Sequence, residues 1–381
     1  MGRNFLKFSF FALLFAALLS PGVTAAAQPQ VEKPLTSQEV ARLLNQLPSQ
    51  PGRRDELIDA LRRRGIGFEL TSGMRSLAAT KSGNDPLLRR TLEEAGRRRA
   101  NPRLEARPTE AEGREAWERT RKNSLAAVAA LPDFVVKQLV TRYEARERTR
   151  AWQTVDRLTV GVSYRESAGG EQYKLLARNG IPEVTSGVEG GNYKQAGGST
   201  TTGEFASTML RLFSEESQTT YQVVDTDTLR GRRTLVYDFA IKRELARAVI
   251  TYAEQRTVST ALVGKVWIDR ELGRVLRVEM TYTEIEPDFP VKSLEKRVDY
   301  EWVTIAEARH LLPVAAEAIF TATAPVTYYD PRRGGRTTEV QTFQSRNEIR
   351  FRNYQKFGTE VKILEDDDFP AEPPAEKKPQ N

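Results

Sequence analysis

The sequence predicts an α+β protein in which a small all-α module precedes a curled antiparallel sheet, a half-barrel, wrapped around a helical plug. Apolar residues recur at helical spacing up to about residue 130, and from there to about residue 357 they alternate in short runs. Such alternation indicates strands with one buried face, as in an antiparallel sheet. One amphipathic helix, at 203–214, interrupts the strands and is the predicted plug.

The first 27 residues have the pattern of a cleavable export signal. Arg3 and Lys7 supply positive charge, an apolar run follows, and Ala25 and Ala27 stand in the small-residue register of a cleavage site. The apolar run is shorter than the ~20 residues that span a bilayer. We therefore expect cleavage near Ala27 and a location in the periplasm or outside the cell. Because the chain has no Cys, we expect no lipid anchor at that site.

Residues 35–100 are predicted to form the small helical module. Thr36 and Glu39 form a capping-box pattern at the start of its first helix. Gly65 is well placed to end the second helix, and Pro86 suits the first turn of the last one.

A charged connector helix, predicted over 101–131, links this module to the half-barrel, which is expected over 132–360. Within the half-barrel, the Gly-, Ser- and Thr-rich residues 187–203 are predicted to form a mobile loop. Residues 361–381 have the composition of a disordered tail. Besides the clearly alternating strands, further strands are expected near 134–146, 220–227, 247–262, 263–269, 295–305, 314–324 and 338–352.

Positive charge is concentrated in the N-terminal part of the chain. Residues 28–122 hold twenty Lys and Arg against fourteen Asp and Glu, whereas residues 123–381 hold thirty-six against thirty-seven. The excess includes arginine clusters at 62–64, 89–90 and 97–99. These clusters could bind an anionic surface such as lipid headgroups, or they form a solvated helix face, which the interleaved glutamates favour. Nucleic acid is not an expected partner, because no recognition motif is present.

The residue counts exclude most catalytic chemistries. The chain has no Cys and one His, His310, so thiol catalysis, thiolate metal sites and His-ligated zinc centres are not expected. We predict a protein without cofactor that is not an enzyme, and we interpret His310 as a structural or merely exposed residue of a turn rather than a base or ligand. Paired carboxylates remain as a route to hydrolysis, and candidates on predicted strands are Asp269, Glu279, Asp299 and Glu301.

Large apolar side chains on the strands and the plug are the predicted ligand-binding residues. A half-open sheet around a helix can leave an apolar cavity, which a lipid or acyl-chain carrier needs. An ordinary filled core is the alternative. The residues expected to line the concave face and its cavity are Tyr164, Tyr173, Phe205, Met209, Phe213, Tyr237, Phe239, Trp267, Met280, Tyr282 and Trp302.

Several segments resemble known secreted proteins. Gly264–Glu279 (GKVWIDRELGRVLRVE) resembles the strand–turn–strand hairpin of the LolA-like outer-membrane lipoprotein-sorting superfamily of lipoprotein carriers, with Leu272 where a Thr is common. Gly231–Phe239 is similar to an earlier strand of the same proteins. Leu131–Tyr143 and Arg64–Thr71 resemble segments of uncharacterised secreted proteins of Gram-negative bacteria in which a helical module precedes the sheet domain. The resemblance implies a LolA-like half-barrel that binds an amphiphile.

These features favour an exported binding or carrier-like protein that holds an amphiphile in the concave face of its sheet. The expected ligand is a lipid or the acyl chain of a lipoprotein, and the N-terminal module could contact another envelope protein. A scaffold or interaction protein with a filled core and no ligand is the first alternative. A hydrolase built on two carboxylates is the second.

Overall fold

The structure is a computed structural model that describes residues 33–102, 108–146, 152–168, 170–185, 188–189, 191–253, 256–330, 332 and 334–357. The predicted export signal, 1–27, and the predicted tail, 361–381, lie outside these residues. The chain divides into two compact units, Met1–Arg99 and Ala100–Asn381. Each unit has a hydrophobic core of its own.

Helices make up the described part of the N-terminal unit. They are α1 (Ser37–Gln46), α2 (Arg53–Arg64), α3 (Ser72–Lys81) and α4 (Pro86–Ala100). The predicted capping box is confirmed, since the Thr36 hydroxyl accepts the backbone N–H of Glu39 and the Glu39 carboxylate accepts that of Thr36 at 2.8 Å. Gly65 ends α2 at φ +65°, a conformation that favours glycine. The core of this unit is built from residues such as Leu44, Leu57, Leu61, Ala78, Leu88 and Leu92.

The second unit begins with helix α5 (Glu110–Ala129), which has its own capping box at Thr109. Its strands are β1 (Phe134–Arg146), β2 (Gln153–Arg165), β3 (Gly170–Arg178), β4 (Ile181–Pro182), β5 (Val184–Thr185), β6 (Val188–Glu189), β7 (Gly191–Asn192), β8 (Thr220–Leu229), β9 (Arg232–Ile241), β10 (Ala248–Tyr252), β11 (Arg256–Asp269), β12 (Val275–Thr283), β13 (Val291–Ile305), β14 (Ala308–Asp330) and β15 (Gly335–Lys356). Two further helices are α6 (Ala206–Phe213) and α7 (Arg243–Ala246). Among the described residues, no helix is both long and apolar enough to cross a membrane.

Thirteen of these strands form one antiparallel sheet. Its order is β4-β3-β2-β1-β15-β14-β13-β12-β11-β9-β8, with β10 added beside β11 and β7 beside β3. The first long strand pairs with the last, from Phe134 opposite Lys356 to Arg146 opposite Phe343. Within the described residues the sheet therefore stays open, with β3–β4 and β8 at its ends. The predicted α+β fold with a curled, unclosed sheet is confirmed.

Helices α5 and α6 pack on the concave face of the sheet; α6 is the predicted plug, and α5 lies within the predicted connector helix. Trp117 of α5 stacks on Tyr221 of β8, with ring centroids 4.1 Å apart. The Tyr237 hydroxyl of β9 donates a hydrogen bond to the Gly113 carbonyl at 2.9 Å. Glycine permits this close approach, because a Cβ at Gly113 would lie 2.7 Å from Val223 of β8. From α6 and its N-cap, the core receives Phe205, Ala206, Leu212 and Phe213.

The predicted strand bounds 247–262 and 263–269 are wrong. The sequence predicts one strand over 247–262, whereas the structure turns after Tyr252, and Ala253 begins the turn at φ +49°. Alternation continues through β10 and β11, so periodicity alone does not mark this hairpin.

The segment predicted as a mobile loop is anchored at several points in its described part, and its mobility stays a prediction. Tyr193 is fully buried, and Ala196 and Thr201 are buried as well. Arg142 donates a hydrogen bond to the Gly197 carbonyl, and the Asn347 amide donates to the Ser199 carbonyl at 3.0 Å. Side chains that are distant in sequence therefore bind the backbone of this segment, which its composition could not reveal.

Replacing Gly264 of β11 by Ala should destabilise the second unit. The added Cβ would lie 2.0 Å from the Glu279 carbonyl oxygen and 2.9 Å from the Phe239 ring, so the backbone would have to shift. Overpacking of this kind costs about 1–3 kcal/mol in the free energy of unfolding. We expect a lower urea midpoint by circular dichroism, whereas Gly335→Ala, whose Cβ would meet nothing within 4 Å, should leave the midpoint unchanged. Equal midpoints for the two variants would contradict this packing.

Candidate functional site

An apolar pocket lies in the second unit, between helices α5 and α6 and strands β12 to β14. We call it the α5–α6 pocket. Its volume is about 310 Å³, within the range of small-molecule sites, ~300–1,000 Å³. One side of the space is lined by small residues of α5 and its C-cap, Ala126, Ala127 and Ala130. The other sides include Phe205, Met209, Val275, Tyr300 and Leu312.

The mouth of the α5–α6 pocket combines an indole ring with cationic groups. Trp302 is 39% exposed, and the Arg309 guanidinium lies 5.5 Å from the centre of its ring, within cation–π distance. Arg274 also lines the pocket and donates a hydrogen bond to the Asn123 carbonyl near the end of α5 at 2.5 Å. None of the described lining residues is acidic. The pocket therefore has an apolar interior and positive charge at its edge.

His310 lines the same pocket from the start of β14, opposite Val303 of β13. It lies in a strand rather than in the predicted turn. Burial lowers the pKa of its imidazole, which favours the neutral ring near pH 7. In the part of the chain that the structure describes, no three His, Cys, Asp or Glu residues are grouped to hold a metal ion. His310 thus contributes a polar, neutral surface to the pocket.

The structure places the eleven predicted ligand-binding residues in different surroundings. Phe205, Met209 and Trp302 line the α5–α6 pocket. Tyr282 lines a second groove of the same unit, and Trp267 lies on the other face of the sheet. The remaining six pack in the interior core, namely Tyr164, Tyr173, Phe213, Tyr237, Phe239 and Met280. Contact between any of the eleven residues and a ligand stays a prediction.

The predicted placement of Trp267 on the concave face is wrong. Its neighbours Val266 and Ile268 both belong to the concave core, so the alternation of the strand directs the indole to the opposite face. There its Nε1 donates a hydrogen bond to Asp227 at 2.9 Å, and the Arg277 guanidinium lies 5.8 Å from its ring centre. The large apolar side chain suggested a position on the concave face, but the two-residue period of the strand places Trp267 on the opposite face, where it is also buried.

A polar network beside α6 was missed by the sequence-based prediction. The Tyr173 hydroxyl donates to a Glu171 carboxylate oxygen at 2.5 Å and lies 3.2 Å from a Glu204 carboxylate oxygen, so it bridges two acids. Lys296 forms an ion pair with Glu204 at 2.7 Å and donates to the Thr202 carbonyl at 2.8 Å. One signal was available in the sequence, because Lys296 occupies an interior-facing position of β13.

The same network fixes the start of α6 on β3. The Gly203 backbone N–H donates to the Tyr173 hydroxyl at 2.8 Å, and the Ser207 backbone N–H donates to Glu171 at 3.2 Å. Burial raises the pKa of Glu171, the hydrogen bond from Tyr173 lowers it, and the charge of Glu204 raises it, with a net value above the ordinary one. Neither glutamate lines the α5–α6 pocket. The arrangement is that of a structural contact.

The acids considered for hydrolysis form ion pairs or cap a turn. Asp299 accepts hydrogen bonds from Arg230 at 2.9 Å and from Arg277 at 2.8 Å. Asp269 accepts two backbone N–H groups of the β11–β12 turn; burial raises its pKa, but these bonds and an arginine bring it below the ordinary value. The remaining two acids also form ion pairs, Glu279 with Arg277 at 3.9 Å and Glu301 with Arg230 at 3.2 Å.

Replacing Glu171 by Gln should stabilise the protein at neutral pH. The pKa of Glu171 is higher in the folded chain than in the unfolded chain, so its ionisation opposes folding once the pH exceeds the ordinary value. We therefore expect a higher free energy of unfolding for the variant at pH 7. The gain should disappear as the pH falls below the ordinary glutamate pKa.

Urea titrations from pH 4 to pH 8 would measure this difference. Glu295→Gln, which removes an exposed carboxylate from β13, is the matched control and should change stability little at any pH. A gain for Glu171→Gln that is independent of pH would show that its ionisation is not the cause.

No protein-family model matches the chain, and no curated protein matches it. Two solved structures are similar to it. One is a putative outer membrane lipoprotein-sorting protein domain from Vibrio parahaemolyticus, 13% identical, with a TM-score of 0.30 over 65% of this chain and 95% of that one. The other is a DUF1329 family protein from Desulfovibrio piger, 9% identical, with a TM-score of 0.30 over 64% of this chain and 94% of that one.

Proposed function

We propose that the protein is a non-enzymatic binding protein that holds the acyl chain of a lipid or of an acylated protein in the α5–α6 pocket. The observation that carries this proposal is the pocket itself, about 310 Å³ of space between apolar walls. A hydrocarbon chain gains about 0.8 kcal/mol for each methylene that it buries. Such a pocket therefore favours a chain over a polar metabolite.

The lining residues suit a chain of variable shape. Alanines on α5 leave room next to the helix backbone, and Met209 on α6 has an unbranched, flexible side chain that adapts to irregular ligands. Trp302 and Arg309 at the mouth offer a ring and a charge to the polar end of the ligand. The chain would enter beside Trp302, with its polar end left at the edge of the pocket.

We further propose that the protein acts in the periplasm or outside the cell, after cleavage near Ala27. The charge, apolar run and small residues of the first 27 positions support this location. The helical module at 35–100 would then be its contact with another component of the envelope. The arginine-rich ends of α2 and α4 give that module its positive charge.

Filling the pocket should weaken acyl-chain binding. Ala127 is half-buried on α5 and lines the pocket. The phenyl ring of Ala127→Phe would therefore occupy part of the space that the acyl chain fills. Excluding two methylenes costs about 1.6 kcal/mol, which corresponds to a loss of at least about tenfold in affinity. Titration of delipidated protein with parinaric acid, a fluorescent fatty acid, would measure both affinities.

Ala129→Phe is the matched control, since Ala129 is exposed on the same helix outside the pocket. It should bind parinaric acid within about twofold of the unchanged protein. Absence of saturable binding by the unchanged protein, together with no co-purifying lipid by mass spectrometry, would refute the proposal. That result would instead favour a scaffold protein with a filled core.

A further inference from the structure

A second, larger groove lies in the same unit, along strand β10. We call it the β10 groove. Its volume is about 920 Å³, and it runs between the segment 192–202 on one side and residues of β10, β12, β13 and β14 on the other. It shares no lining residue with the α5–α6 pocket.

One wall of the β10 groove is apolar and partly open to solvent. Tyr252, Tyr282 and Phe320 are half-buried there, against a small separate core of the unit. Val249, at the same groove, is 55% exposed. An aromatic and aliphatic surface of this kind gains free energy when a hydrocarbon chain covers it.

The groove also has cationic lining residues. They are Lys194 of the segment 192–202, Arg211 of α6 and Arg247, which directly precedes β10, and none of the described lining residues is acidic. Arg211 donates a hydrogen bond to the Ala246 carbonyl at 3.0 Å, which brings its guanidinium next to the residue that precedes Arg247. Glu216 interacts electrostatically with Arg247, but it is fully exposed and does not line the groove. An exposed pair of this type is worth little, so the groove keeps a positive character.

The segment 192–202, which lines the polar side of the groove, is fixed by hydrogen bonds in the absence of a ligand. The Ser199 hydroxyl donates to the Asn347 side chain at 2.9 Å, and Lys296 donates to the Thr202 carbonyl at 2.8 Å. Gly198, at φ +63°, packs against Arg142, where a Cβ would approach the guanidinium to 2.9 Å. A site whose backbone is already fixed loses less conformational entropy on binding.

We propose that the β10 groove is a second binding site, for an anionic amphiphile whose chain lies on the aromatic wall and whose phosphate or carboxylate lies among Lys194, Arg211 and Arg247. Charge complementarity supports an anion, and the neighbouring apolar wall supports a chain attached to it. A free phosphate ion would use the cations alone. A neutral lipid would use the apolar wall alone.

Ligands that share one chain and differ in their headgroup test this proposal. We would titrate the Ala127→Phe variant, in which the α5–α6 pocket is filled, with dodecyl phosphate, dodecyl maltoside and inorganic phosphate by calorimetry, below the critical micelle concentrations. Dodecyl phosphate should bind saturably and at least about tenfold more tightly than either of the other two. Equal binding of inorganic phosphate would overturn the proposal in favour of an ion site, and equal binding of dodecyl maltoside would overturn the role of the charge.

Charge removal locates the site. The double variant Lys194→Gln/Arg247→Gln, made in the same background, should weaken dodecyl phosphate binding about tenfold, because two exposed cations are lost. Lys242→Gln is the matched control, since Lys242 is an exposed cation close in sequence that does not line the groove; it should change the affinity by less than twofold. An unchanged affinity in the double variant would overturn the proposal. Parinaric acid is itself an anionic amphiphile, so its affinity is compared in Ala127→Phe and in the double variant made alone. A loss only in the first assigns its binding to the α5–α6 pocket, and a loss only in the second assigns it to the β10 groove, so either site can fail without the other.

Discussion

The pairing of the first long strand with the last constrains the rest of the second unit. Strands β1 and β15 pair over nearly the whole length of β1. Since the other long strands mostly follow one another as hairpins, this pairing leaves β3 and β8 towards the two free ends of the sheet. The chain between these strands has to pass from one end to the other. It therefore crosses the open side of the sheet, and α6 is the part of the crossing that packs on the concave face.

A segment that crosses the concave face brings backbone polar groups into an apolar interior, where each unpaired group would cost free energy. The strands satisfy these groups with polar side chains at inward-facing positions. Tyr300 donates to the Glu204 carbonyl at 2.9 Å, Lys296 donates to the Thr202 carbonyl, and Arg142 donates to the Gly197 carbonyl. Charged residues on the apolar face of the strands are therefore a consequence of the crossing. These charged residues therefore have a structural role whether or not a ligand binds nearby.

The sequence reveals whatever depends on neighbouring residues, and little that depends on distant ones. Capping at Thr36 and the alternation of β9 and β12 are local, and the structure contains both. The face of Trp267 is local information too, because the apolar neighbours Val266 and Ile268 alternate with it along the strand and occupy the concave face. By contrast, the packing of residues 191–203 depends on Arg142 and Asn347, which are remote in the chain. The α5–α6 pocket is likewise non-local, because it lies where α5, α6 and three strands leave space.

The position of α6 also decides where the concave face stays accessible. Met209 lines the α5–α6 pocket and Arg211 lines the β10 groove, and two residues on a helix with 3.6 residues per turn point about 200° apart. The helix thus separates two openings, each with apolar walls, nearby cations and no acid among its described lining residues. Cations beside open apolar surface add little to the stability of a core, because exposed charges are screened by solvent and the apolar surface stays uncovered. An amphiphile with a negative headgroup satisfies both, which is the physical reason to regard these openings as binding sites rather than packing defects.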